Sequence, residues 1–287
     1  MRQADRATPT ARLFARLLDV QRIARLSLRR LPAPTRRLPA SARRVPALAR
    51  RLPALAAAAL LAAAGLAACD SDPSAPDADP VEVELDFTAS SHGWEYGFSD
   101  FNVGWEENME LEGGHRPLPE PLTDQGYGLH VGATNRSDDV FMYWTGRVDG
   151  FEPDTRYQID FRVEFATAAP SDCVGVGGPP GESVHLKVGA TPERPEPVDD
   201  DGYWQMNIDK GNQLQGGDDA IRIGHVGNTV SECTDWVFEM KTVESEEPFT
   251  ATTDADGALW FLVGTDSGFE ARTELYYTRY EAVLREW

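Results

Sequence analysis

The chain has 287 residues, 41% hydrophobic and 26% charged, with 27 Lys and Arg against 47 Asp and Glu for a formal net charge of −20. Residues 1–68 hold 14 of the 27 basic residues and 2 of the 47 acidic ones, so the other 219 residues (287 less 68) carry 13 basic and 45 acidic groups, net −32. A surface of that sign repels phosphates and anionic headgroups, which excludes nucleic acid as a partner of this part and disfavours acidic polysaccharides. It leaves a cationic partner, bound calcium, or a solvated surface suited to high salt, of which the last is the simplest.

The first 44 residues alternate Arg with Leu, Ala and Pro and hold no apolar segment, so the true start is expected near residue 45, where VPALARRLPALAAAALLAAAGLAAC makes a compact signal by itself. Its uncharged run from Leu52 to Ala68 falls slightly short of the ~20 residues of a membrane span and ends in Leu66-Ala67-Ala68-Cys69. Basic leader, apolar run, small residues and cysteine together resemble a bacterial lipoprotein signal. The resemblance implies a lipid on the Cys69 thiol, cleavage just before it, and a protein anchored to a membrane outside the cytoplasm, on the periplasmic side or at the cell surface. Residues 1–68 then form the signal segment. Residues 69–80 form an acidic tether, since DSDPSAPDADP holds nothing bulkier than Pro and cannot bury a core.

With Cys69 given to lipid, Cys173 and Cys233 remain, and a pair in an oxidising compartment is most simply a disulfide; two separate free thiols is the alternative.

From residue 81 onward the hydrophobic period is two. Val81, Val83, Leu85 and Phe87 alternate with Glu82, Glu84 and Asp86, and Tyr157, Ile159, Phe161, Val163 and Phe165 alternate with polar neighbours. Further strands are expected at 109–112, 127–131, 140–148, 184–188, 203–208, 220–225, 249–252, 258–263 and 273–284, with turns at Gly113-Gly114, 177–181, 199–202, 216–219 and 254–257. About a dozen strands without a capped helical segment predict an all-β fold, a two-sheet antiparallel jelly-roll β-sandwich filling 81–287 as one domain.

Leu85-Asp86-Phe87 with Gly93-Trp94, the stretch Val148-Asp-Gly-Phe-Glu-Pro-Asp-Thr-Arg-Tyr157-Gln-Ile-Asp-Phe161, and a closing strand through Tyr280, Ala282 and Leu284 resemble galactose-binding-like jelly rolls, a superfamily that includes many carbohydrate-binding modules. The resemblance implies a sugar-binding sandwich and leaves a structural calcium open, although Thr278 stands where the family's calcium-holding acid is expected. The blocks Asn135-Arg-Ser-Asp-Asp139, Asn207-Ile-Asp-Lys-Gly-Asn-Gln213 and Thr265-Asp-Ser-Gly-Phe-Glu270 also resemble an uncharacterised group of secreted bacterial proteins.

The stretch DDDGYWQMNIDKGNQLQGGDD, residues 199–219, is the most polar and aromatic part of the chain. Sugars bind by stacking a ring face on an aromatic and by hydrogen bonds from amides and carboxylates, so Tyr203, Trp204, Asn207, Asp209, Asn212 and Gln213 are the candidate ligand-binding residues. The bland account is a loop whose Gly, Asn and Asp make turns. A second candidate surface is 140–148, apolar on both faces, where Val140, Met142, Trp144 and Val148 alternate with Phe141 and Tyr143, so that one aromatic pair faces away from the core and could floor a groove rimmed by Asn135, Arg136, Ser137, Asp138 and Asp139, with Tyr143, Trp144, Asn135 and Asp138 as candidates; a covering loop or extra strand is the alternative. Asp266 and Glu270 are further candidates. Gly264-Thr-Asp266-Ser267-Gly268 departs from a serine-nucleophile motif at both flanks, the five histidines have no zinc spacing, and no phosphate-binding glycine loop is present.

The expected function is non-catalytic binding of a neutral glycan or similar polar small molecule by a lipid-anchored protein, with no catalytic residue and no cofactor assigned. A glycan hydrolase or lyase on the same scaffold, and a structural or assembly lipoprotein, are the alternatives.

Overall fold

Alternation decides the sheets. A computed structural model describes residues 79–287; residues 1–78, which include the signal segment, Cys69 and most of the tether, lie outside the described residues. The strands in chain order are β1 (Val81–Asp86), β2 (Glu95–Ser99), β3 (Phe101–Asn102), β4 (Glu112–Pro117), β5 (Tyr127–Thr134), β6 (Phe141–Asp149), β7 (Arg156–Thr167), β8 (Val184–Thr191), β9 (Pro197–Asp200), β10 (Tyr203–Met206), β11 (Ala220–His225), β12 (Glu239–Glu244), β13 (Phe249–Thr252), β14 (Ala258–Ser267) and β15 (Arg272–Glu286). In the first sheet β15 pairs on one side with β7 and on the other with β5 and β1, β12 and β13 pair with the far edge of β7, and β4 closes against β5. The second sheet has the order β11-β8-β14-β6-β2, and every pairing in both is antiparallel. Strands β3, β10 and β9 form a separate three-stranded antiparallel sheet, and the other strands build the expected two-sheet antiparallel β-sandwich of jelly-roll kind.

The core lies between the sheets. Ile159, Phe161, Val163 and Phe165 of β7 and Tyr277, Tyr280, Ala282 and Leu284 of β15 face Met142 and Trp144 of β6, Leu186 and Val188 of β8 and Phe261 and Val263 of β14. In β15 the buried positions change from odd (Leu275, Tyr277) to even (Tyr280, Ala282, Leu284) because a bulge interrupts its pairing with β7 between Tyr277 and Arg279. Thr278 is the extra residue. It is buried, and its hydroxyl donates to the Glu164 carbonyl at 3.2 Å and to Glu164 Oε1 at 2.9 Å, so the position where the resemblance looked for a calcium ligand is a bulge tied to its neighbouring strand.

Several expectations are corrected. No strand begins at Met109, which is buried in a turn; the strand starts at Glu112 and runs through Gly113-Gly114, where a turn was expected. The absence of a side chain at Gly113 serves close packing, since a Cβ there would overlap the Tyr96 ring. The expected turn at 199–202 contracts to Asp201 (φ 52°) and Gly202 (φ 88°), two left-handed residues that join β9 to β10. Strands β2 and β12 lie at sheet edges, where few positions are fully buried and the sequence signal is correspondingly weak. Cys173 and Cys233 are bridged, with their Cα atoms 5.6 Å apart.

Candidate functional site

The outer face of the second sheet is not left open. Phe141 and Tyr143 point away from the core, stack with ring centroids 5.5 Å apart, and pack with Met206 and Ile208 of the segment that follows β9. The expected groove floored by an aromatic pair is therefore filled, because residues 203–219 fold back across the sheet. Trp144 faces the core and its indole donates to the His130 carbonyl at 3.3 Å. Asn135, also buried, donates to the Ser267 carbonyl at 2.8 Å and accepts from the Ser137 amide. The Asp138 carbonyl accepts from Gln213 Nε2 at 2.9 Å, and Glu270 is exposed.

Under the covering segment lies a buried ionic cluster. Asp266 of β14 and Lys187 of β8 are both fully buried on this outer face, 3.1 Å apart. Lys187 also donates to the carbonyls of Lys210 at 2.8 Å, Gln215 at 3.1 Å and Asn212, so one ammonium holds three points of the loop. From that loop Lys210 reaches down to Asp266 at 2.8 Å and to Asp100, between β2 and β3, at 2.6 Å. Asp139, just before β6, completes the group; its carboxyl and those of Asp100 and Asp266 offer oxygens within 4.8 Å of one another.

Three carboxyls and two ammoniums balance only if one carboxyl stays protonated. Burial, then the neighbouring Asp266 charge, pushes Asp139 up to about 8, which makes it the proton carrier. Burial opposes the Asp266 charge, but Lys210 and Lys187 outweigh it and hold that carboxyl below the usual range. For Lys210 the same contest goes to the carboxylates, which raise it despite burial. A divalent cation does not fit this trio as it stands, because the Lys210 ammonium already occupies the position between Asp100 and Asp266.

Above this floor opens a cavity of about 330 Å³ lined by Asp100, Asp139, Tyr203, Gln205, Asp209 and Asn212, among others. The Tyr203 phenol, half-buried, is pushed up to about 12 by burial and then by the charges of Asp100 and Asp139. Of the six residues expected to bind ligand, Tyr203, Asp209 and Asn212 meet here. Trp204 does not: it packs on the core and its indole donates to Glu106 Oε1 at 2.9 Å. The Asn207 side chain is spent on the loop, accepting from the Glu196 amide at 2.9 Å and donating to the Arg194 carbonyl at 2.9 Å, and Gln213 reaches away to Asp138. Asp209 and Asn212 also shape the loop, accepting the amides of Gly211 and Asp218 and of Leu214 and Gln215.

Asp266 was singled out from sequence as a surface candidate and is instead the buried anchor of the cluster. Lys187, Lys210, Asp100 and Asp139 carry as much of the site; Lys187 and Asp100 are not singled out by the sequence, Lys210 only as part of the polar 199–219 stretch, and Asp139 only as a rim residue of the second candidate surface. A signal existed for Lys187, which in VHLKVGAT is a lysine inside an apolar strand, as Asp266 is an aspartate inside LWFLVGTDS. Ser267, next to Asp266, is buried with its hydroxyl donating to the Phe269 carbonyl at 3.2 Å, which is no position for a nucleophile.

No family model matches the chain, and no curated protein does. Among solved structures it is similar to the carbohydrate-binding module TmCBM61 in complex with β-1,4-galactotriose, at 9% identity over 68% of this chain and 92% of that one with a TM-score of 0.29. It is similar to a non-crystalline cellulose specific carbohydrate-binding module, CBM28, at 9% identity over 66% and 86% with a TM-score of 0.27. A bacteriophage CBA120 tailspike protein 4 domain matches at 11% identity over 66% of this chain with a TM-score of 0.29, and the chain spans only 19% of its length. At this level the likenesses carry no argument about ligand or activity; the sandwich rests on its own sheets.

Proposed function

We propose that the chain is an extracytoplasmic binding protein, held to a membrane by lipid on Cys69, that takes a neutral carbohydrate or similar polar ligand in the Tyr203 cavity without turning it over. The observation that carries this is the cavity itself: an aromatic ring, carboxyls and side-chain amides converge on about 330 Å³ of space, above a floor where Lys210 pairs with Asp100 and Asp266. A neutral Asp139 can donate a hydrogen bond as well as accept one, as a hydroxyl-bearing ligand requires. The net −32 of residues 69–287 favours neutral over acidic ligands.

The non-catalytic reading is supported by the state of the carboxyls. Glycoside hydrolysis by the two-carboxylate route needs an acid and a free carboxylate roughly 5 Å or more apart. Here Asp100 and Asp266 are both paired with lysine, so neither is a free carboxylate beside Asp139. Calorimetry of the full chain against neutral trisaccharides, with chromatography of the mixture afterwards, tests the reading. Saturable binding with intact sugar supports it; released product transfers the site to a hydrolase or lyase, and no binding leaves a structural lipoprotein. For the anchor, fatty-acid labelling is expected in the wild type and absent in Cys69→Ser; equal labelling refutes it.

A further inference from the structure

A second concave surface lies at the 168–169 end of β7 and shares no lining residue with the Tyr203 cavity. It encloses about 370 Å³, and its walls are Trp236, Phe238 and Phe269. Its floor is made of Ala168, Ala169 and Ala271, whose small side chains leave the space, and its polar side is Arg272 with Glu274. Trp236 is 47% exposed yet held in place: its ring stacks on Phe269 with centroids 6.4 Å apart and planes 26° from parallel, three residues beyond the disulfide at Cys233. Phe238 is fixed edge-on against Tyr276 at 5.6 Å.

We propose that this cleft is a second ligand site, taking one or two units of a neutral saccharide whose ring face lies on Trp236. Three features select that chemistry. Trp236 presents one exposed, flat ring face at the wall of the cleft, which suits the C–H face of a pyranose better than a flexible acyl chain that gains most from an enclosed tunnel. The rim carries one cation and one anion 3.6 Å apart, so it brings no net charge to the ligand. Guanidinium N–H groups donate and a carboxylate accepts, and each sugar hydroxyl can do both in return. Glu274 is held ionised, its carboxyl lowered by His130 and Arg272 against the burial that opposes its charge. Arg272 is held at the rim by the Glu110 carbonyl at 2.6 Å and by Glu112 at 3.5 Å. Such an arrangement is preorganised, since neither the ring nor the charged groups must be ordered when ligand arrives.

The test is a titration of the full ¹⁵N-labelled chain with cellotriose, maltotriose and β-1,4-galactotriose at millimolar concentration, and with octanoate as an acyl probe. The Trp236 indole N–H, assigned by its loss in Trp236→Phe, reports this cleft, while the amides of Gly211 and Asn212 report the Tyr203 cavity. A saturable shift of the Trp236 signal with a trisaccharide, weakened about tenfold by Glu274→Gln, is expected. Movement of Gly211 and Asn212 without Trp236 overturns this site and leaves the cavity reading standing; movement of Trp236 alone does the reverse. Silence at both reporters overturns both. A Trp236 shift with octanoate but with no sugar makes the cleft an acyl site and overturns the proposal. Trp236→Phe, which keeps a ring on Phe269, controls for loss of fold.

Discussion

Lys210 Nζ lies 2.8 Å from Asp266 Oδ2, and this contact joins a surface loop to a fully buried strand position. Because Asp266 also meets Lys187, whose ammonium holds three carbonyls of the same loop, the loop is latched from both directions. The latch fixes one wall of the Tyr203 cavity.

Removing one member of such a buried set leaves the others uncompensated. Lys210→Met is expected to cost about 3–5 kcal/mol, since Asp100 and Asp266 then lose the charge between them. Urea denaturation measures it. A loss below about 1 kcal/mol, the range of exposed pairs, contradicts a buried latch.

Asp139 gives the cluster a pH dependence of definite sign. Its folded-state carboxyl titrates at about 8, well above an ordinary aspartate at about 3.9, so the folded protein holds a proton that the unfolded chain has released. The stability linked to that proton is fully present below about pH 4 and is lost as pH rises towards 8. Asp139→Asn stays neutral throughout, so the stability difference between variant and wild type should move in the variant's favour across that window and level off above it. A difference independent of pH from 4 to 8 means Asp139 is not the proton carrier.

Tyr280 is fully buried among Trp94, Phe161 and Phe261, with ring centroids 5.1, 6.0 and 6.0 Å away, and its hydroxyl has no partner among the described residues. An unmet buried hydroxyl is costly, so Tyr280→Phe is expected to stabilise the protein by about 1 kcal/mol. A thermal midpoint lowered by the substitution shows that the hydroxyl is satisfied.

The bridge between Cys173 and Cys233 closes a loop of 60 residues, which in the chain-entropy model contributes roughly 4 kcal/mol. The double variant Cys173→Ala, Cys233→Ala should unfold at correspondingly lower denaturant. An unchanged midpoint places the reduced chain in an equally restricted unfolded state.

How much was legible from sequence follows from what each signal depends on. Alternation in β7, β1 and β15 is a local property, and it predicted those strands because one face of each meets the core. The bulge at Thr278 reverses that alternation through pairing with β7, which the sequence does not display. At the site, residue types located the 203–219 segment, but polar side chains in a loop serve ligand and backbone alike. Tyr203 and Trp204 are neighbours on a strand, so they point to opposite faces; only pairing of β10 with β3 and β9 decides which one meets the cavity. The ion cluster joins residues 100, 139, 187, 210 and 266, and no spacing rule links them.

That choice between two adjacent aromatics is the most direct test of the cavity as the ligand site. In an NMR titration with a trisaccharide shown to bind, the affinity read from the Gly211 and Asn212 amides should be abolished or reduced at least tenfold in Tyr203→Ala with the unfolding midpoint little changed, because that half-buried ring lines the cavity. In Trp204→Ala the reverse is expected: lower stability, from lost core packing and the lost bond to Glu106, with affinity retained by the protein that stays folded. Unchanged affinity in Tyr203→Ala contradicts the account.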